Sequence, residues 1–227
     1  MITMLVAARP AAAQVEASVG VISRYFFRGL DGLNGHPVLQ PSVTWTLGRS
    51  GIFLNASGIV PFTQRHGSVG GGNAALVQEG DELDLTAGYT RALGPAAFTA
   101  GIGQTNWPRG GAWARHWPGG SAIADEGFAT VALPAAPGAP SLTVVQELNP
   151  KSCSFANGRA GLYVLAAVGH TLAVGAHRTL VLGASAGYID QGWLPERGIS
   201  DVNATASTVL GLGRAARVSV TPAVQAT

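Results

Sequence analysis

Val38-Leu39-Gln40-Pro41-Ser42-Val43-Thr44-Trp45-Thr46-Leu47 alternates without a slip: Leu39, Pro41, Val43, Trp45 and Leu47 are apolar or proline, and Gln40, Ser42, Thr44 and Thr46 are polar. Successive side chains of a strand point to opposite sides of its sheet, so this stretch predicts a strand with one apolar and one polar face. Similar runs occur at Ala17–Arg28, Ile52–Val60, Asp81–Arg91, Ala96–Asn106 and Ile123–Leu133, then at Ser141–Leu148, Gly161–Val174, Arg178–Ile189, Val202–Gly211 and Ala216–Gln225. The chain therefore reads as about eleven successive strands with almost no helical period between them.

Composition narrows what such a sheet does. The chain has 227 residues, 32 glycines, 11% charged residues and a mean hydropathy of +0.26, against about 25% charged residues in an average globular protein. It has too little charge to clothe a large water-facing surface. Net charge is +2 and the 14 basic residues are scattered, which excludes a nucleic-acid stripe. Cys153 is the single cysteine and reads as an unpaired loop thiol, with no ligand spacing for a metal and no cofactor motif. Met1–Ala8 is apolar and Ala11-Ala12-Ala13 offers a cleavage site, so residues 1–13 read as the remnant of an export signal. The basic region that opens such signals is absent, which points to a start upstream. Residues 14–227 then form one domain.

The connections alternate in length. Arg49-Ser50-Gly51, Gly94-Pro95, Pro134–Pro140, Gly175–His177 and Gly213–Ala215 are short, whereas Gly29–His36, Pro61–Gly80, Trp107–Ala122, Asn149–Gly158 and Asp190–Ser200 are longer. Short turns at one end and long loops at the other fit an outer-membrane barrel. Ala160–His177 carries no formal charge and is long enough for a membrane helix, but Gly161, Gly169 and Gly175 and its strand-favouring residues favour a hairpin.

Alternation alone does not say which face meets water. Charges at strand positions mostly share the polar parity: Arg24, Arg28, Glu82, Asp84, Glu147 and Arg217 are the pore-lining candidates. A cation on the lipid face costs roughly 2–4 kcal/mol near the midplane, which accounts for such a bias. Tyr25, Phe27, Trp45, Tyr89 and Tyr188 share the apolar parity and are candidates for an aromatic girdle on the lipid face. Arg91 breaks the parity at a strand end, where it can snorkel.

Two segments are more specific. Ser23-Arg24-Tyr25-Phe26-Phe27-Arg28-Gly29-Leu30 with Asn34-Gly35-His36-Pro37-Val38-Leu39-Gln40 resembles the first strand and turn of the TorF-type putative porins of proteobacterial outer membranes. Asp81-Glu82-Leu83-Asp84-Leu85-Thr86-Ala87-Gly88-Tyr89-Thr90 resembles that family's acidic strand. The resemblance implies an all-β, antiparallel up-and-down transmembrane β-barrel of about twelve strands with a channel role. Its aromatic terminal strand is not matched by Pro222–Thr227, and an odd count of eleven points to a missing last strand.

The expected function is a porin-like channel in the bacterial outer membrane, passing small polar solutes or ions. Its expected partners are outer-membrane lipid and the barrel-insertion machinery, with no nucleic acid. The alternatives are a non-conducting structural or adhesive barrel and, more weakly, a lipid hydrolase using His66 and Ser68. That His-x-Ser pair lies in a glycine-rich loop with no third group to orient the imidazole, so no enzyme is expected. His116 between two tryptophans could belong to a sugar- or surface-contacting loop but reads better as an ordinary amphipathic loop, and His170 with His177 lack the further ligands of a metal site.

Overall fold

The computed structural model describes residues 2–8, 14–23, 26–28, 30–31, 37–62, 82–107, 122–149, 160–174, 179–190, 197–211, 217–220 and 223–226. For 2–8, 26–27, 30–31, 107, 122–124, 209–211, 217–220 and 223–226 the description is of backbone alone. Its strands are β1 (Ile2–Ala8), β2 (Gln14–Ile22), β3 (Phe26–Phe27), β4 (Leu30–Asp31), β5 (Val38–Thr46), β6 (Ile52–Pro61), β7 (Glu82–Leu93) and β8 (Ala96–Trp107). They continue with β9 (Ala122–Ala132), β10 (Ser141–Glu147), β11 (Leu162–Ala173), β12 (Thr179–Ile189), β13 (Gly198–Gly211), β14 (Arg217–Val220) and β15 (Ala223–Ala226).

The fold is all-β, and no described helix is long and apolar enough to cross a membrane. Ten strands, β2 and β5 to β13, form one antiparallel sheet in which each pairs with the next in chain order. Hairpin after hairpin is the cheapest way to satisfy every backbone group of so regular a chain, because neighbours in sequence pair without long crossovers. Further backbone pairings run from β13 to β14, from β14 to β1 and from β1 to β2. The strand β1 lies within the segment read as an export signal. β14 and β15 continue one line along β13, from Gly211↔Arg217 to Val202↔Ala226. Ala160–His177, where a helix competed with a hairpin, contains strand β11, paired with β12 from Tyr163↔Ile189 to Ala173↔Thr179.

One strand boundary corrects the sequence reading. Alternation continues to Arg28, but β2 ends at Ile22, and Arg28 lies in a turn between the two-residue strands β3 and β4 with φ 50. Residue alternation is blind to where pairing stops; β5, the partner of β2, begins only at Val38, opposite Ile22.

The apolar parity is the exposed one. Val15, Val43, Leu54, Leu85, Ile102, Leu142 and Val168 are exposed, Ile102 to 60% and Val168 to 51%. Among the described residues the buried apolar side chains are Val38, Ile59, Tyr163 and Ile189. They form two small clusters, Val38 with Ile59 and Ile22, and Tyr163 with Ile189, Val145 and Leu165. The polar parity carries Ser42, Thr44, Asn55, Thr130, Thr143, Ser185 and Asn203, several of them mutually hydrogen-bonded.

A row of partners crosses the polar face: Phe53↔Gly88↔Gly101↔Phe128↔Val145↔Tyr163↔Ile189. The two glycines leave room for the two phenylalanine rings. A Cβ on Gly88 would stand 2.6 Å from Phe53 Cε1, and one on Gly101 would stand 2.7 Å from Phe128 Cζ and against the Ala87 carbonyl. On the same strand and face, a Cβ on Gly103 would meet nothing closer than Thr86 Oγ1 at 3.7 Å. Gly101→Ala is therefore expected to lower stability by about 1–3 kcal/mol, and Gly103→Ala to stay within about 0.5 kcal/mol of the parent. Denaturant titration followed by tryptophan fluorescence checks this; equal losses for the two variants would refute the packing argument.

Candidate functional site: a charged collar on the polar face

The polar face has two zones. Toward the short turns its described side chains are mainly Ser, Thr and Asn, with Glu16 exposed on β2. Toward the long connections it carries Glu82 and Asp84 on β7, Glu126 on β9, Glu147 at the end of β10 and Asp201 on β13, together with Arg28. Glu82, Glu147 and Asp201 are buried, at 3%, 3% and 2% exposure. Buried carboxylates need donors or counter-charges, and each described contact supplies one.

Thr105 Oγ1 donates to Asp84 Oδ1 at 2.7 Å. The Gly161 amide donates to Glu147 Oε2 at 3.1 Å. Asp201 receives the Tyr163 hydroxyl at 3.1 Å and the Ser200 hydroxyl at 2.9 Å on Oδ2, and Asn203 Nδ2 at 2.8 Å on Oδ1. Arg28 Nη2 meets Glu126 Oε2 at 2.5 Å, with side-chain exposures of 10% and 15%, and its guanidinium carbon lies 5.1 Å from the centre of the Tyr163 ring. A cation over an aromatic face gains about 0.5–2 kcal/mol, more as water is removed.

The register explains why Arg28 belongs here. Glu126 and Glu147 are direct cross-strand partners. Like charges placed opposite each other destabilise a sheet. Arg28 on one carboxylate and the Gly161 amide on the other draw their charge apart.

A bulge aims Asp201. The β12–β13 ladder shifts between Gly187 and Tyr188, with Gly187↔Asp201 followed by Tyr188↔Ile199. Ser200 is the extra residue, so Ile199, 74% exposed, and buried Asp201 take opposite faces although both are odd-numbered. Bulges re-aim side chains in this way. Gly187 completes the fit, since a Cβ there would stand 2.6 Å from the Tyr163 hydroxyl.

A recess of about 300 Å3 lies beside this collar, lined by Ser57, Glu82, Asp84, Thr105, Glu126 and Val145 among others. A larger hollow of about 910 Å3 runs mainly along apolar-parity residues from Val43 and Trp45 to Leu148. At its edge Gln104 Nε2 donates to Asp125 Oδ1 at 2.8 Å, so the one carboxylate described within the exposed apolar sheet is partnered.

Of the pore-lining candidates, Glu82, Asp84 and Glu147 share the polar face and the same end of the sheet, and Arg28 meets Glu126 there from the β3–β4 turn. Arg24 lies outside the described residues, and Arg217 is described only as β14 backbone. Trp45, Tyr89 and Tyr188 lie on the apolar face at 40%, 39% and 42% exposure. Tyr25 lies outside the described residues, and Phe27 is β3 backbone alone. Arg91 is exposed near the β7–β8 turn, and His170 is exposed on the apolar face. His66, Ser68, His116, Cys153 and His177 lie outside the described residues, among which no group of three or more His, Cys, Asp or Glu is placed to hold a metal ion. Sequence reasoning missed Glu126, Tyr163 and Asp201. Tyr163→Phe removes one donor from buried Asp201 and is expected to cost about 1.5–3 kcal/mol. Thermal unfolding measures it, and an unshifted midpoint would mean that the hydroxyl does not support the carboxylate.

A family model described as "Bacterial protein of unknown function (Gcw_chp)" matches residues 7–189. No curated protein and no solved structure matches the chain. The family match carries no activity and no porin description with it.

Proposed function

We propose that this chain, which belongs to the Gcw_chp family of bacterial proteins of unknown function, is a bacterial outer-membrane β-barrel whose polar face lines a lumen for passive diffusion of small polar solutes or ions. The observation that carries this reading is the inverted burial. Val43, Leu54, Leu85, Ile102, Leu142 and Val168 stand exposed while Glu82, Glu147 and Asp201 are buried. In water that arrangement forfeits about 25 cal/mol for each Å2 of apolar surface left uncovered. Hydrocarbon around the outside removes the cost, and a wet interior suits the polar face.

Closure is the second part of the proposal. The pairings β13–β14, β14–β1 and β1–β2 support a seam. With β14 and β15 taken as one line, the circle has twelve staves: β1, β2, β5 to β13 and that line. Taking β1 as a wall strand rather than as part of an export signal makes the odd count read from sequence even, as single-chain bacterial barrels require. Curvature has separate support from Arg28. The residue arises in the connection between β2 and β5, seven and six inter-strand steps from β11. Contact with Tyr163 on β11 favours a strongly rolled sheet.

In this reading lipid covers the apolar face, with Trp45, Tyr89 and Tyr188 as interfacial aromatics, and barrel-insertion machinery delivers the chain. The resemblance of the Ser23–Gln40 and Asp81–Thr90 segments to TorF-type porins points the same way. Val168, near the middle of β11, tests the lipid contact. Val168→Arg is expected to cost about 2–4 kcal/mol in bilayers, whereas Ala167→Arg on the opposite face leaves folding intact. Equal folding of both in lipid would remove the basis for a membrane-facing surface. Purified protein inserted into planar bilayers is expected to give discrete current steps, and folded, inserted protein without current would overturn the channel.

A further inference from the structure

We propose that Arg28 is the specificity-determining residue of the lumen, a cation laid across the collar that restrains an otherwise cation-selecting ring of carboxylates. The inference rests on the channel reading and goes beyond it by naming the preferred solute class, small cations, and the residue that limits their passage.

Two observations carry it. Arg28 does not belong to the wall it touches. It arises in the connection between β2 and β5, yet pairs with Glu126 on β9 and stacks on Tyr163 on β11, four and six strands beyond β5. In the proposed ring of twelve staves, six steps lead to the opposite wall, so the connection between β2 and β5 brings Arg28 across the interior. Secondly, Arg28 holds φ 50, a left-handed conformation unusual for a residue with a Cβ. That backbone is kept because the side chain is tied at its far end to a carboxylate and a ring, both fixed in paired strands.

The charge balance gives the direction. Glu82, Asp84, Glu126, Glu147 and Asp201 are the carboxylates of the collar, and Arg28 is its one cation among the described side chains. Rings of charged side chains set ion preference in pores. Removing Arg28 frees Glu126 to act on the solute and widens the path. Removing Glu126 leaves the guanidinium to act alone, with the opposite effect.

The test uses the full chain in planar bilayers under a potassium chloride gradient. The parent is expected to prefer potassium over chloride. Arg28→Gln shifts the reversal potential further toward potassium and raises the conductance, whereas Glu126→Gln shifts it toward chloride. A parent that is silent while Arg28→Gln conducts also supports the proposal, with Arg28 as the block. A conducting parent with an unchanged reversal potential in Arg28→Gln overturns the role of Arg28 and leaves the channel standing; silence from both overturns the channel and this inference together. A second measurement does not depend on current: Arg28→Glu is expected to lower the thermal midpoint in detergent, and adding Glu126→Arg to restore it. Failure of that rescue would show that the two side chains do not meet.

Discussion

Register is the constraint on which the rest of this structure depends. The side-chain period of a strand is two, so a slip of one residue would exchange a strand's apolar and polar side chains between the two faces. From β5 to β12 the hairpins hold one parity, which is why Thr130 meets Thr143, Asp84 meets Thr105, and Phe53 and Phe128 lie over Gly88 and Gly101. The one described irregularity between β12 and β13 falls at Asp201, where a change of parity places a carboxylate among its donors.

The collar sets a second constraint against the first. Pairing β9 with β10 in the register that keeps Leu142 and Val144 outward also sets Glu126 opposite Glu147. A slip of one residue would relieve the repulsion but reverse the faces of the slipped strand. The chain instead brings Arg28 from a distant connection and leaves the register intact. A polar network buried from water is strong when complete and costly when one partner is missing, so the collar binds strands that are otherwise linked only through their neighbours.

Much of this was legible in the sequence because period two is a local signal. Val38–Leu47 predicts β5 within a residue, and the parities of Glu82, Asp84 and Glu147 place them on one face before any fold is known. What was hidden depends on events that break the period. Asp125 and Glu126 are adjacent, so one had to face outward, and only pairing decides which. Asp201 follows the extra Ser200, and Tyr163 reads as an ordinary strand aromatic until Asp201 is set beside it. Arg28 was found by residue type but placed on a strand, since alternation persists past the last paired residue. The Asp31-Gly32 and Asn34-Gly35 turn signals were the available hint that the chain had left the ladder.

The two zones of the polar face differ at their ends: carboxylates and Arg28 gather near the long connections, while hydroxyls prevail toward the short turns. For a channel this makes the interior electrically lopsided. An ion driven from one mouth meets the strongest field at the start of its passage, and from the other mouth only at the end. In the proposed channel, that sidedness is expected to make the pore rectify, carrying unequal currents under equal and opposite voltages.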